Sequence, residues 1–211
     1  MPRYKITKSL IESWYYVQDC WEGQEESAMD SFLHSLRCEE EELTEEQQKN
    51  IQNGFDFERM VTEMATGTFV QDGDTRPGWY FAASQFADLV RGAQFQVRIA
   101  KPITVRGIDF EIHGVLDALR EGTIFDIKFK NKSFGSLDLP GNYLDSAQHP
   151  FYFYLVPEAR RFLYLVSDGS DIYIEQYTPE ESRDAYDVIA EFVDFLQSSN
   201  LMETYKEHWA L

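Results

Sequence analysis

Two acids and a lysine that could act on one substrate lie in a single apolar stretch, at Asp117, Asp126 and Lys128. If Glu121 and Gly122 form a two-residue hairpin turn, counting outward from the turn places Asp117 directly opposite Asp126. Their β-carbons would then lie about 5 Å apart on one face of the sheet. Lys128 shares that face, whereas the apolar residues beside it point to the opposite side. The spacing therefore predicts a compact cluster of two carboxylates and one ammonium group.

Carboxylates that face each other destabilise a hairpin, so a purely structural role does not explain this pair. A hard cation between them would turn repulsion into binding, because Mg²⁺ takes carboxylate oxygens and keeps waters that a phosphate can replace. The ammonium of Lys128 could orient an attacking water or neutralise charge as a phosphodiester is displaced. Of the eight lysines, only Lys128 has an acid two positions before it. The alternative is a solvent-facing hairpin with ordinary surface charges.

The same stretch resembles the core of the PD-(D/E)XK nucleases, most closely their RecB-like and lambda-exonuclease-like branch. The resemblance rests on Gly114-x-x-Asp117, followed nine residues later by Asp126-x-Lys128 with apolar flanks. That branch adds Gln-x-x-x-Tyr on the next helix, which Gln148 and Tyr152 match, and these two residues share a helix face. Leu116 stands where proline is usual in the family, but no ligand is lost by this departure.

The resemblance also implies a metal-binding glutamate on an upstream helix. Glu58, at the end of Gly54-Phe-Asp-Phe-Glu58, matches that pattern best, and Asp56 and Glu63 are less suitable substitutes. The residues expected to bind metal are Glu58, Asp117, Asp126 and, through its main-chain carbonyl, Ile127. Lys128 would assist the hydrolytic water, and Gln148 with Tyr152 would position the site and the strand.

The implied enzyme is a deoxyribonuclease that depends on Mg²⁺ or Mn²⁺, an exonuclease rather than an endonuclease, acting in recombination, repair or degradation of phage or bacterial DNA. Replacing Asp117 or Asp126 by asparagine should abolish cleavage and leave the metal-free fold intact or slightly more stable. Two alternatives stay open. One is a structure- or site-specific endonuclease, and the other is a non-catalytic acidic binding protein or DNA mimic on a nuclease-like fold.

The formal charge of −18 is unusual for a protein that binds phosphates. Part of it comes from the run Glu39–Glu42 with Glu45 and Glu46 close behind, which fits a solvated helix start or, alternatively, a surface that mimics nucleic acid. Lys130 and Lys132 continue the alternation begun at Lys128 and could bind DNA. They could equally protect a strand edge from unwanted pairing.

Composition restricts the class of protein. The 211 residues suit one domain, and a hydrophobic content of 43% excludes wholesale disorder. No stretch approaches the roughly 18 apolar residues of a membrane span, so we expect a soluble, cytoplasmic protein without a membrane partner. Cys20 and Cys38 are the only cysteines, which excludes the four-cysteine iron–sulfur cluster of some related nucleases. Besides DNA, a homo-oligomer or a recombination partner protein is conceivable.

Periodicity and turn residues predict a mixed α/β chain. Helices are expected at 6–18, near 29–37, from 45 to about 66 after a Thr44/Gln47 capping box, near 84–91, at 146–156 and at 179–198. Strands are expected at 94–100, 107–119, 123–130, 161–167 and 171–177, with a loop at 72–78. The predicted architecture is a single restriction-endonuclease-like domain over 1–211, with a central mixed β-sheet flanked by helices. Its parts are the N-terminal helices (1–66), the catalytic sheet core (94–177) and the C-terminal helices (179–211).

Overall fold

The computed structural model describes residues 2–40, 42–71, 77–136 and 141–211. Within these ranges the strands are β1 (Arg3–Thr7), β2 (Gln94–Val105), β3 (Ile108–Arg120), β4 (Thr123–Phe129), β5 (Arg161–Ser167) and β6 (Ile172–Tyr177). The helices are α1 (Lys8–Asp19), α2 (Glu25–Leu36), α3 (Glu45–Thr66), α4 (Pro77–Val90), α5 (Gln148–Leu155), α6 (Ala185–Ser198) and α7 (Met202–Trp209).

The strands form one mixed sheet in which β3 pairs with three partners. The sheet runs β1-β3-β4-β5-β6, and β2 also pairs with β3. β1 is parallel to β3 and β4 is parallel to β5, whereas the remaining pairs are antiparallel. The parallel β4–β5 pair needs a crossover, which contains α5. The predicted mixed sheet flanked by helices is confirmed.

Each face of the sheet carries its own apolar cluster. On one face, Phe57 of α3 and Phe86 of α4 are fully buried in a cluster with Phe125 and Ile127 of β4. On the other face, the buried side chains of α1, α2, α5, α6 and α7 form a larger cluster with those of β1, β3 and β5. Alternate residues of β4 therefore point into different layers, as the strand period predicts.

Local sequence signals were correct for α3 and for the β3–β4 hairpin. The capping box is present, because Thr44 Oγ1 accepts from Gln47 N and the Gln47 side chain accepts from Thr44 N. Glu121 and Gly122 have φ values of 48° and 73°, which is the geometry of a two-residue type I′ turn. Arg120 pairs with Thr123 across this turn, as predicted.

The prediction of a helix over 6–18 was wrong at its start. Residues Arg3–Thr7 form β1, in which Tyr4 and Ile6 are buried on one face. The helix begins only at Lys8, because Thr7 adopts an extended conformation and its Oγ1 accepts a hydrogen bond from Leu10 N. Ile6 fits a helical and an alternating pattern equally, so periodicity alone could not place this boundary. The N-terminal part thus contributes a strand as well as helices.

The helix predicted from 179 begins later, at Ala185. Thr178 and Glu181 do bond to each other, but they close a single isolated turn. Asp184 is the actual N-cap, and its carboxylate accepts from Tyr186 N at 2.7 Å. Other boundaries also differ. The helix expected near 29–37 is α2, which begins at Glu25. The helix expected near 84–91 begins at Pro77, within the predicted loop 72–78. Residues 72–76 of that loop lie outside the described ranges. The strand expected at 94–100 is β2, which continues to Val105.

None of the helices in the described ranges combines the length and apolar character that a membrane crossing requires.

Candidate functional site

The site lies where β3 changes partners along one of its edges. β2 follows the opposite edge of β3 from Ile108 to Leu119. On the site edge, β1 pairs with Asp109–His113 and β4 pairs with Ala118–Arg120. Residues 114–117 of β3 thus lie between the end of one partner and the start of the next. This interval, which we call the β3 gap, is where Asp117, Asp126, Lys128 and Gln148 meet.

Asp117 and Asp126 lie close together, but they are not directly paired. The β3–β4 ladder ends with Ala118 opposite Phe125, one pair short of the predicted Asp117–Asp126 pair. Beyond that point, Asp117 Oδ2 accepts a hydrogen bond from the Ile127 main-chain N at 2.8 Å. The strands separate here because a side-chain carboxylate occupies the place of a main-chain partner.

The Ile127 carbonyl faces the same gap. The N–H and C=O of one strand residue point to the same edge, and Ile127 N points to Asp117. Main-chain groups of successive residues in an extended chain point to alternate edges. Lys130, three positions after Ile127, should therefore point to the opposite edge, and its N–H does donate to the Ser167 carbonyl of β5. The carbonyl that the resemblance assigns to a metal is therefore directed toward the two acids.

Asp126 is the best-bonded acid of the cluster. It is only 2% exposed, its Oδ1 accepts a hydrogen bond from the Gln148 side chain, and its Oδ2 lies 2.8 Å from Lys128 Nζ. Gln148 is buried at the start of α5 and also accepts from Lys8 Nζ at 3.3 Å. Asp126 and Lys128, predicted from one motif, and Gln148, predicted from another, are thus joined in one network.

Tyr152 closes the gap from the α5 side. Its hydroxyl donates to the Val115 carbonyl at 2.8 Å, which satisfies a β3 group that neither β1 nor β4 reaches. The ring lies over Gly114, where an added β-carbon would come within 2.9 Å of Tyr152 Cε1 and 2.5 Å of Leu155 Cδ1. Glycine is required at 114 because α5 packs against the main chain there.

Glu58 reaches the site from α3 on the other face of the sheet. Its Oε1 accepts a hydrogen bond from Gln96 Nε2 at 2.5 Å. Gln96 interrupts the β2–β3 ladder opposite Asp117 and has a φ of 52°, a left-handed conformation that is rare in strands. Strained main-chain conformations of this kind concentrate at functional sites. The alternative Asp56 is bound to Arg59 at 2.7 Å.

Electrostatic coupling ties the three acids together. Burial, and then the charges of Asp126 and Glu58, raise the pKa of Asp117 well above its ordinary 3.8. Burial, and then the charge of Asp126, raise the pKa of Glu58. Burial alone would lower the pKa of Lys128, but the attraction of Asp126 and Asp117 outweighs it and the pKa is raised. The cluster therefore contains more negative charge than its lysines compensate.

The donor set fits a hard divalent cation by its chemistry. Glu58, Asp117, Asp126 and the Ile127 carbonyl offer oxygen ligands, the type that Mg²⁺ and Mn²⁺ prefer. In the described part of the chain, however, no three His, Cys, Asp or Glu side chains already surround a common point suited to a metal ion. The carboxylates instead accept hydrogen bonds from Gln96, Ile127 and Gln148.

Two contributors to the site were missed by sequence reasoning. Lys8 lies beside Gln148 and Lys128, and burial followed by repulsion from Lys128 lowers its pKa. Gln96 holds Glu58. No motif marks either residue, although Lys8 follows the Thr7 cap and so belongs to the first turn of α1.

The predicted DNA-binding residues Lys130 and Lys132 do not lie on a strand, as their alternation with Lys128 had indicated. β4 ends at Phe129, so neither lysine belongs to the strand. Lys130 Nζ lies 5.3 Å from the centroid of the Tyr143 ring, a cation–π distance. Asn131, between the two lysines, lines a cavity together with Glu45, Glu46 and Lys49, so the start of α3 borders these lysines.

Comparisons with known proteins show the fold alone. No protein-family model and no curated protein matches the chain. Among solved structures, the chain is similar to SSO0001, with a TM-score of 0.53 and 16% identity over 94% of this chain and 77% of that one. Rai1 of Scheffersomyces stipitis aligns with a TM-score of 0.36 and 12% identity, over 93% of this chain and 61% of that one. The likeness to SSO0001 supports a shared architecture.

Proposed function

We propose that the chain is a divalent-metal-dependent deoxyribonuclease of the PD-(D/E)XK class, with a restriction-endonuclease-like core and exonuclease activity. The observation that carries the proposal is the β3 gap, where Asp117, Asp126, Lys128 and Gln148 meet although their positions span more than thirty residues. A structural hairpin gains nothing from buried, repelling carboxylates, whereas a hydrolytic site needs such oxygens.

Each residue has a part in the proposed reaction. Glu58, Asp117, Asp126 and the Ile127 carbonyl would hold Mg²⁺ or Mn²⁺, which supplies Lewis-acid stabilisation of the charge that develops on the phosphate. Lys128 keeps its ammonium proton beside Asp126 and so donates hydrogen bonds to the attacking water or the phosphate oxygens. Gln148 fixes Asp126, and Tyr152 fixes the backbone of the β3 gap.

Digestion assays with a matched control test the proposal. Wild-type protein should hydrolyse linear single- or double-stranded DNA with Mg²⁺ or Mn²⁺ and lose this activity in EDTA. Asp117→Asn should abolish hydrolysis, whereas Asp109→Asn, which changes an acid of the same strand that accepts a hydrogen bond from Thr104, should keep it. Closed circular DNA in parallel reactions separates an endonuclease from an exonuclease.

Binding assays decide the remaining case. In Ca²⁺, which permits binding without turnover, a nuclease should bind DNA and a DNA mimic should not. Absence of both binding and digestion on all substrates would contradict the proposal and favour the mimic. Undiminished digestion by Asp117→Asn would contradict the site assignment.

A further inference from the structure

A basic cleft lies next to the β3 gap. The cleft has a volume of about 530 Å³ and is lined by residues of β1, the first turn of α1, β2 and β3. Its basic lining residues are Lys5, Lys8, Arg98 and His113. Val115 and Tyr152 also line it, so the cleft opens directly onto the gap.

The sheet register explains why these cations share one place. Lys5 of β1 pairs with Glu111 of β3, and Arg98 of β2 pairs with Val115. The two cations thus project from strands on either side of β3, and Lys8 follows where β1 ends. This arrangement depends on β1 joining the sheet, which local sequence signals do not show.

The charges of the cleft are only partly compensated within the protein. Lys5 and Arg98 have no ion pair with any described residue, although the chain has 37 acids and 19 lysines and arginines. Glu111, which lies opposite Lys5 in the β1–β3 register, already binds Arg3 and His113, each at 2.8 Å. In a molecule this acidic, cations without carboxylate partners beside a hydrolytic site suggest that an external anion binds them.

We infer that this cleft binds a phosphate of the substrate strand next to the one that is cleaved. The inference rests on the proposed nuclease function. Arg98 offers a planar fork suited to phosphate oxygens and Lys5 a point charge, whereas Lys8 lies between them and the catalytic network. The N-terminus of α1, with Thr7 and Ser9 also lining the cleft, adds a favourable dipole.

Equilibrium binding of a fluorescent oligonucleotide in Ca²⁺ tests the inference without requiring turnover. The double variant Lys5→Ala/Arg98→Ala should bind about 10-fold or more weakly than wild type, the loss expected for charge-assisted hydrogen bonds. The slope of log K against log salt should become shallower by about 0.7 for each phosphate of a single strand that the variant no longer neutralises. The control Arg160→Ala/Lys206→Ala removes the same charges from exposed or paired positions elsewhere and should bind like wild type.

Parallel arms identify the source of the phosphate and separate the two proposals. Oligonucleotides with and without a terminal phosphate distinguish a terminal monoester from an internal diester. If wild type binds and digests DNA but the Lys5/Arg98 variant binds equally well, the inference is overturned and the nuclease function stands. If the variant loses binding while wild type never digests DNA, the cleft is supported and the nuclease function fails. Absence of binding by wild type would overturn the cleft as well.

Discussion

Asp117→Asn and Asp126→Asn should change the free energy of unfolding in opposite directions when divalent ions are removed. From sequence alone the two acids are equivalent members of a repelling pair, and both substitutions would stabilise slightly. The structure separates them. Asp126 has a cation, Lys128, at 2.8 Å, whereas the hydrogen bond of Asp117 comes from an uncharged N–H group, that of Ile127.

The gain for Asp117→Asn follows from relief of repulsion. Asp117 Oδ2 lies 2.8 Å from Ile127 N, which is covalently bonded to Asp126, and we take the separation of the two carboxylates as about 6 Å. At an effective dielectric constant of about 20, two unit charges at that distance repel by about 3 kcal/mol. Attraction to Lys128 offsets part of this energy. Because Asn Oδ1 can still accept from Ile127 N, we expect a net stabilisation of about 1–2 kcal/mol.

The loss for Asp126→Asn follows from a lysine left without its partner. Removing one partner of a fully buried ion pair costs about 3–5 kcal/mol. The Lys128 side chain is 27% exposed, so water compensates part of that cost. Relief of repulsion with Asp117 offsets a further part. We therefore expect Asp126→Asn to destabilise by about 1–2 kcal/mol, which leaves the two variants about 3 kcal/mol apart.

Urea unfolding in EDTA near neutral pH measures this difference. With a slope of about 2.5 kcal/mol/M, a gap of about 3 kcal/mol separates the unfolding midpoints by about 1.2 M. The pH dependence supplies an internal check. The pKa of Asp117 is raised in the folded state, so folded protein binds its proton more tightly and stability falls as pH rises from the unfolded value of 3.8 through the raised value. The advantage of Asp117→Asn should therefore shrink as the pH is lowered.

Either of two results would refute this reasoning. Midpoints that shift in the same direction would show that Lys128 does not distinguish the two acids. An advantage of Asp117→Asn that persists unchanged below the ordinary carboxylate range would show that Asp117 is not destabilised by its charge.

Three further results are expected. Calorimetry should show weaker Mn²⁺ binding by Glu58→Gln but not by Glu63→Gln, and the reverse pattern would move the upstream ligand along α3. Burial and neighbouring charge raise the pKa of Glu58, so its proton must leave before metal binds. Mn²⁺ affinity should therefore fall as pH is lowered from about 8 to about 5. Calorimetry in buffers of different ionisation enthalpy measures the proton release. Gly114→Ala should destabilise the protein by about 1–3 kcal/mol in thermal unfolding and slow digestion by displacing Tyr152. Gly54→Ala, with open space around its β-carbon, should stabilise it by about 0.5–1 kcal/mol. Equal effects of the two substitutions would contradict the packing argument.

The parts of the site that sequence predicts are those set by local rules. A two-residue turn and the period of two fix which β3 and β4 side chains share a face, so the cluster of Asp117, Asp126 and Lys128 follows from counting. The count fails only where the strands separate. At that point the Asp117 carboxylate bonds to Ile127 N, and no local rule distinguishes a ladder that continues from one that ends.

The missed parts depend on contacts between distant segments. Lys8 and Gln148 are 140 positions apart, and Gln96 and Glu58 are 38 apart. Neither pair can be inferred until β1 is known to join β3 and β2 is known to contain a left-handed residue. Five residues of alternating character at the N-terminus are too few to distinguish a strand from the start of a helix. Topology therefore determines the part of the site that sequence periodicity leaves undefined.

The distribution of charge around the site, rather than the net charge of −18, indicates where a nucleic acid can approach. Near the start of α3, Glu45 and Glu46, with Lys49 beside them, border the segment that carries Lys130 and Lys132, so a strand there passes near carboxylates. Charges farther away than about 8 Å are screened at physiological salt, so these local groups outweigh the total charge. At the cleft, Glu111 already binds Arg3 and His113, and Lys8 pairs with Glu12 at 3.8 Å, whereas Lys5 and Arg98 have no ion pair with a described residue. An acidic protein can thus bind a polyanion if its path follows the cleft and the divalent ion offsets the remaining acids.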